Sequence, residues 1–219
     1  MRVLSWQKSV PATAEQLNFK FNFYRLDMKK PFLSLLVLFA AFSLTSCGYN
    51  SMVSKEETVT SKWSQVENQY QRRADLIPNL VNTVKGYADF EKSTLEAVTN
   101  ARASATSVKI DANNLTPEKI QQFQAAQDQI SSSLGRLLAV AEAYPNLKAN
   151  EGFQDLRTEL AGTENRIGLA RKDFNESVQD YNTHIRKFPN NLASGMFGFE
   201  KKGYFTARPG SDTPPTVKF

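Results

Sequence analysis

The chain has 219 residues, with 27 Lys and Arg against 22 Asp and Glu, a formal net charge of +5, one cysteine and one histidine. Six of the basic and two of the acidic residues lie in positions 1–46, which leaves 21 against 20 in the remainder, so the excess that would suit nucleic acid belongs to a segment expected to be removed. A single cysteine excludes an intrachain disulfide, and a single histidine excludes the histidine pairs of di-iron bundle sites and leaves His184 without metal ligands at useful spacing.

Residues 1–27 hold scattered aromatics without a sustained period, and translation is expected to start at Met28, which would make them an extension. Met28-Lys29-Lys30 is followed by an apolar run from Phe32 to Leu44. Its 13 residues fall short of the ~20 that a helix needs to cross the hydrocarbon core. A basic start, a short apolar run and small residues before a cleavage point make residues 28–46 a secretory signal. Leu44-Thr45-Ser46-Cys47 then resembles the recognition site of bacterial lipoprotein signals, in which the cysteine sulfur takes a diacylglyceryl group before cleavage. The resemblance implies lipidation at Cys47, with palmitate among the attached chains, and a mature protein beginning there. The other reading of Cys47 is an ordinary small buried thiol.

About 173 residues remain, enough for one well-buried domain. Val59, Trp63, Val66 and Tyr70, then Ile77, Leu80, Val84 and Tyr87, then Leu95, Val98 and Ala101 recur at steps of three and four, the helical period. Pro78 lacks the N–H that a helix interior needs, while Asp75 is a suitable N-cap. The pattern predicts one helix over 51–74 and a second over 76–106, with a continuous kinked helix as the alternative. Thr116-Pro117-Glu118 announces a third helix by its N-cap, N1 proline and acidic first turn, with Gln127 as the polar member of its apolar seam. A fourth runs from Phe153 to Phe188 with an almost regular alternation of three and four. Long helices with short connections predict an all-α, up-and-down antiparallel four-helix bundle over 47–206, followed by a disordered tail at 207–219.

Polar residues beside the seams are the candidate site: Glu142, Glu164, Asn165, Arg171, Asn175 and Asn182. Asn175 and Asn182 are seven apart on one helix face, so they are expected to form an inter-helix ladder, fix register or line a groove. His184 reads as a surface or boundary side chain. No cofactor, metal or catalytic constellation is expected. Aromatic residues at Phe197, Phe199, Tyr204 and Phe205 either fold back on the helices or form an exposed partner patch.

Tyr49-Asn50, Trp63, Arg73-Ala74-Asp75-Leu76-Ile77-Pro78-Asn79-Leu80-Val81 and Val84-Lys85-Gly86-Tyr87-Ala88 resemble the N-terminal half of the LemA family. Glu142-Ala143-Tyr144-Pro145-Asn146-Leu147-Lys148-Ala149, Thr163-Glu164-Asn165-Arg166-Ile167, Tyr181-Asn182, Phe188-Pro189 and Gly198-Phe199 continue the resemblance. It implies a bacterial envelope protein with a helical domain outside the cytoplasm and no settled catalytic activity. This chain departs from the family in carrying the lipoprotein-like cysteine where members commonly have a transmembrane helix, and in Phe174-Asn175 where Tyr-Asn is frequent. Gly48 after the cysteine favours an outer-membrane destination facing the periplasm. The expected function is a non-enzymatic interaction or scaffold module that meets the membrane through its lipid and an envelope protein or its own copies through its surface. Self-assembly that organises a membrane is the alternative, and a carboxylate-based enzyme using Glu142 and Glu164 is the third reading.

Overall fold

The computed structural model describes residues 29–86 and 91–207, with side chains from Gly48 onward. It divides into two compact units, Met1–Gly48 and Tyr49–Phe219. The extension at 1–27, the side chains of Leu44, Thr45, Ser46 and Cys47, the seam position Tyr87 and the tail beyond Ala207 lie outside the described residues. Six helices occur among the described residues, and no strand does: α1 (Lys29–Lys85), α2 (Lys92–Ser107), α3 (Pro117–Ala141), α4 (Pro145–Lys148), α5 (Glu151–Arg186) and α6 (Asn190–Phe197). None of the described helices is long and apolar enough to cross a membrane.

The expected break at Asp75 does not occur. Asp75 and Pro78 both lie within α1, and the side-chain amide of Gln71 donates to the Asp75 carboxylate. A proline at 78 leaves the carbonyl of Ala74, four residues back, without its helical donor. Arg102 supplies one from α2: its Nε donates to Ala74 O at 2.7 Å. With that carbonyl satisfied, and with Leu76, Ile77, Leu80 and Val81 buried around the proline, the helix continues to Lys85. The boundary predicted at 75 therefore moves to the segment after Lys85, and the second helix shrinks to Lys92–Ser107.

The other ends follow the sequence closely. Thr116 caps α3 by accepting from the Lys119 N–H, with Pro117 at the first helical position, where its missing donor costs nothing. Asn150 caps α5 by accepting from the Phe153 N–H at 2.9 Å. Tyr144-Pro145 opens the single turn α4 just after α3, with Tyr144 at its N-cap and Pro145 at its first position. Gly198 ends α6 in the left-handed region at φ 75°, which a glycine adopts without a Cβ clash.

Three ion pairs set the direction of α5 against α1. Lys55 meets Asp180, Lys62 meets Asp173 at 3.0 Å and Arg72 meets Glu159 at 2.8 Å, so the partner number falls as the α1 number rises. The two helices are antiparallel. Tyr70 packs edge-on to Phe123 and Arg73 reaches Gln127, so α3 runs in the same direction as α1. Between the helices are two apolar clusters. One gathers Leu76 to Val84 of α1 with Leu95 and Val98 of α2, Ile130 to Ala141 of α3, Leu147, and Phe153 and Leu160 of α5. The other gathers Met52 to Tyr70 of α1 with Ile120 and Phe123 of α3, Ile167 to Ile185 of α5, and Phe205.

The Arg102 contact makes the proline tolerable, and the two positions are therefore expected to be coupled. Arg102→Leu should cost about 1–3 kcal/mol by leaving the Ala74 carbonyl unpaired. Pro78→Ala, which restores the intrahelical N–H, should recover most of that loss in the Arg102→Leu background. A double-mutant cycle by chemical denaturation measures the coupling.

Candidate functional site

Between Tyr70 and Ile77 the buried face of α1 carries Arg73 beside Ala74, and Arg73 turns inward there with 1% of its surface exposed. Its Nη1 donates to Ser131 Oγ at 3.0 Å and to Glu164 Oε1 at 2.8 Å, while Nη2 donates to the main-chain and side-chain oxygens of Gln127. The guanidinium also lies 4.9 Å from the centre of the Tyr70 ring. One side chain thus joins α1, α3 and α5. Burial pushes the Tyr70 phenol above its ordinary value, against the pull of Arg171 and Arg73 and with the support of Glu164 and Asp128. The cavity beside it, of about 160 Å³ and lined by Tyr70, Gln127 and residues of α2, is small for a substrate site. The guanidinium is engaged within the fold and not offered to a ligand.

A second constellation is built from side-chain amides. After α6 the chain turns at Gly198 and runs along α3 and α5 as a strap, residues 200–207, without regular secondary structure. Asn182 donates from Nδ2 to Lys202 O at 2.9 Å and accepts from the Lys202 N–H at 3.0 Å. Asn175 does the same to Phe205, at 2.9 Å for both bonds. Gln124 on α3 holds Thr206 likewise, at 2.9 Å to the carbonyl and 3.1 Å from the N–H. An amide presents a donor and an acceptor side by side, so each clamp matches one residue's N–H and C=O as a neighbouring strand would. Arg171 adds a bond to Thr206 O and sits 4.7 Å from the Phe205 ring centre.

Phe205 is delivered into a nest of rings. It stacks on Trp63 at 6.1 Å and meets Phe174 and Phe123 edge-on, while Trp63 meets those same two rings at 5.5 and 5.2 Å. Lys202 is buried, pairs with Glu56 at 2.7 Å and donates to Asn113 O, its ammonium 5.8 Å from the Tyr181 ring centre. Burial, then the charges of Glu56 and Glu200, push the Tyr181 phenol up, which keeps it protonated. Gly203 passes so near α3 that a Cβ there would lie 2.6 Å from Pro117 Cα. Of the two readings of the C-terminal rings, Phe205 folds back as one expected, while Phe197 and Tyr204 remain exposed as the other did.

The sequence-derived candidates therefore separate. Asn175, Asn182 and Arg171 act together, but on the strap, and not as a ladder between two helices. Glu164 belongs to Arg73. Glu142 is exposed at the end of α3, where Lys148, by hydrogen bond and charge, and then Arg157 hold its carboxyl below its ordinary value. Asn165 is exposed on α5. His184 is half-buried near the end of α5, and Asn190 donates to its carbonyl and lies 3.1 Å from its Nε2. Among the described residues no group of three or more His, Cys, Asp or Glu side chains is arranged to hold a metal ion.

The pattern of the LemA family matches residues 62–219, most of the chain and all of the geometry above except the N-terminal part of α1. The chain belongs to the LemA family. Its relatives include magnetosome protein MamQ 2 of Paramagnetospirillum magneticum, 27% identical over 83% of this chain and 73% of the relative. Magnetosome protein MamQ of Magnetospirillum gryphiswaldense is 28% identical over the same shares, and protein LemA of Metamycoplasma hominis is 24% identical over 72% and 68%. In this LemA chain the Arg73–Val81 motif has a structural meaning: it carries the buried arginine, the carbonyl capped by Arg102 and the proline.

Three residues of these constellations escaped sequence reading. Arg73 gave no signal, because Ala74 keeps the step of four and three between Tyr70 and Ile77, while Gln124 was signalled by lying one turn before Gln127 on the buried face of α3. Lys202 gave no signal, since lysine is almost never fully buried unless paired and its partner Glu56 lies far away along the chain.

Asn182→Ala is expected to lower stability by about 1–3 kcal/mol, because it leaves a buried N–H and C=O of Lys202 unpaired. Hydrogen exchange should accelerate at Lys202, Phe205 and Thr206 before any change in α1 or α3. A second expectation concerns the only histidine. Burial first, then the charges of Lys55 and Lys187, lower the His184 pKa from 6.5 against the opposing pull of Asp180. The unfolded chain then takes up a proton at a higher pH than the folded one, so stability is unaffected above 6.5 and falls as the pH drops below it. An NMR titration of the imidazole should give a midpoint below 6.5, and His184→Gln should flatten the melting temperature across that window.

Proposed function

We propose that this protein is a lipid-anchored, non-enzymatic module of the bacterial envelope, tethered through Cys47 to the outer membrane on its periplasmic side. Its four long helices form an up-and-down antiparallel bundle that meets an envelope protein partner or further copies of itself. The observation that carries this reading is the occupation of the polar groups. Arg73, Gln124, Arg171, Asn175 and Asn182 are spent on contacts inside the domain, and Glu142 and Glu164 sit in separate ion pairs. Carboxylate catalysis needs a shared substrate position between its acid and base, and these two face different partners. What is left for function is the outer surface and the tether. The Leu44-Thr45-Ser46-Cys47 sequence supports the tether.

A second reading, self-assembly that organises a membrane, is favoured by the magnetosome proteins among the relatives. The near-neutral balance of charge after residue 46 gives the domain as a whole no attraction to anionic lipid, so in either reading the anchor does the holding.

Metabolic labelling with an alkyne analogue of palmitate tests the anchor. Wild type should be labelled and sediment with membranes, while Cys47→Ser should be unlabelled and retain its signal. Label on Cys47→Ser, or a mature N-terminus upstream of Cys47, would overturn the proposal. Crosslinking in intact cells separates the two readings: a second protein in the adduct supports a partner, and adducts of this chain alone support self-assembly.

A further inference from the structure

The helix α6 turns its small side chains inward and its large apolar ones outward. Ser194 is buried and donates to Ile185 O, while Leu192 is 63% and Met196 82% exposed, four residues apart on one face. Phe188, just before the helix, is 81% exposed, and Phe197 at its end 55%. Isolated apolar side chains on a surface need no explanation, but four together on one short element form a patch of the kind that marks a contact surface.

The position of the patch in the chain identifies its occupant. Phe197 packs against Tyr49 with ring centres 5.0 Å apart, and Phe199 packs against the same ring at 5.7 Å. Tyr49 follows Cys47 by two residues, which span at most ~7 Å. A lipid on Cys47 therefore brings Tyr49, and with it the Phe197 end of α6, close to the headgroup region. The local charge fits a membrane as well. Arg186 and Lys187 are exposed immediately before Phe188, Lys201 is exposed after α6, and Glu200 is the only acid from 185 to 207. A short element with apolar side chains on one face and flanking bases lies in the interface with its apolar face ~5–10 Å into the headgroup and acyl boundary.

We propose that α6 is an interfacial contact helix, with Phe188, Leu192, Met196 and Phe197 inserted into the bilayer beside the Cys47 anchor. The lipid supplies the anchor, and α6 adds an interfacial contact beside it. This inference rests on the anchor proposed above, and the experiment separates the failure of one from the failure of the other.

A lipidated Cys47 has no free thiol, so an introduced cysteine is the only site that a thiol dye labels. Gly195→Cys has open space for its Cβ on α6, and Leu169→Cys, at a position 60% exposed on α5, serves as the control. The full-length protein, purified from membranes, is labelled with an environment-sensitive dye and reconstituted in phosphatidylethanolamine and phosphatidylglycerol vesicles containing nitroxide lipid. One dye per chain, with quenching roughly threefold stronger at 195 than at 169, is the expected result for an interfacial helix. Leu192→Glu with Met196→Glu should return the 195 signal to the control level. One dye per chain with equal quenching at both positions overturns the inference and leaves the anchor standing. A blue-shifted dye at 195 without nitroxide quenching identifies a protein surface as the occupant and also overturns it. Two dyes per chain show a free Cys47, which overturns the anchor and the inference together.

Discussion

A guanidinium taken out of water loses a large solvation energy, and the fold recovers it only if every helix around Arg73 stands at one height. Ser131 and Gln127 on α3 and Glu164 on α5 must arrive opposite the same turn of α1 for the charge to be satisfied. The apolar clusters respect that layer. One begins on α1 at Leu76 and the other ends there at Tyr70, so Arg73 lies at the boundary between them. Leucines and valines alone would accept a helix shifted by a turn with little penalty; a buried charge would not, because a shift leaves it without partners. The interaction adds little net stability for its size and a good deal of specificity. The half-buried to exposed pairs of Lys55, Lys62 and Arg72 with α5 agree with the same register, each worth about 0–1 kcal/mol where water screens it.

The strap solves a different problem. A segment without regular secondary structure that lies on an apolar core must find partners for its own peptide groups. Among the described residues there is no strand to supply them, and the helix backbones have already spent their donors and acceptors internally. Asparagine and glutamine on helix faces provide the missing edge, one residue at a time. Because the clamps read the main chain, they fix the strap without regard to its side chains, and selectivity falls to Phe205 and Gly203. The phenylalanine fills the space among Trp63, Phe123 and Phe174, and the glycine permits the approach to Pro117.

Much of this was legible in the sequence, and what was hidden shares one cause. The N-cap and proline of α3 and the long period of α5 follow from local chemistry or from periodicity, while the inward turn of Phe205 was one of two readings of the C-terminal rings. Pro78 misled because its penalty is local while its compensation, the Arg102 side chain, comes from 24 residues away along the chain on another helix. Asn175 and Asn182 were recognised as one face, but their partner is a segment with no pattern of its own. Arg73 lies beside Ala74, which completes the step from Tyr70 to Ile77, and nothing in a single sequence says that Gln127 and Glu164 converge on the arginine. Periodicity reports which face is buried and is silent about which polar groups meet across it.

The stacking of Trp63 on Phe205 joins the first and last parts of the described domain, about 140 residues apart in the chain. Synthesis proceeds from the N-terminus, so Trp63 appears long before the ring that completes its surroundings. Until the strap emerges, the cluster around Trp63 is open at one side and the amides of Gln124, Asn175 and Asn182 have no peptide to hold. The cluster closes only once the strap has been made. Residues 200–207 act as a latch on the ring cluster, and a chain truncated before Lys202 would lack both Phe205 and the peptide groups that the three amides hold.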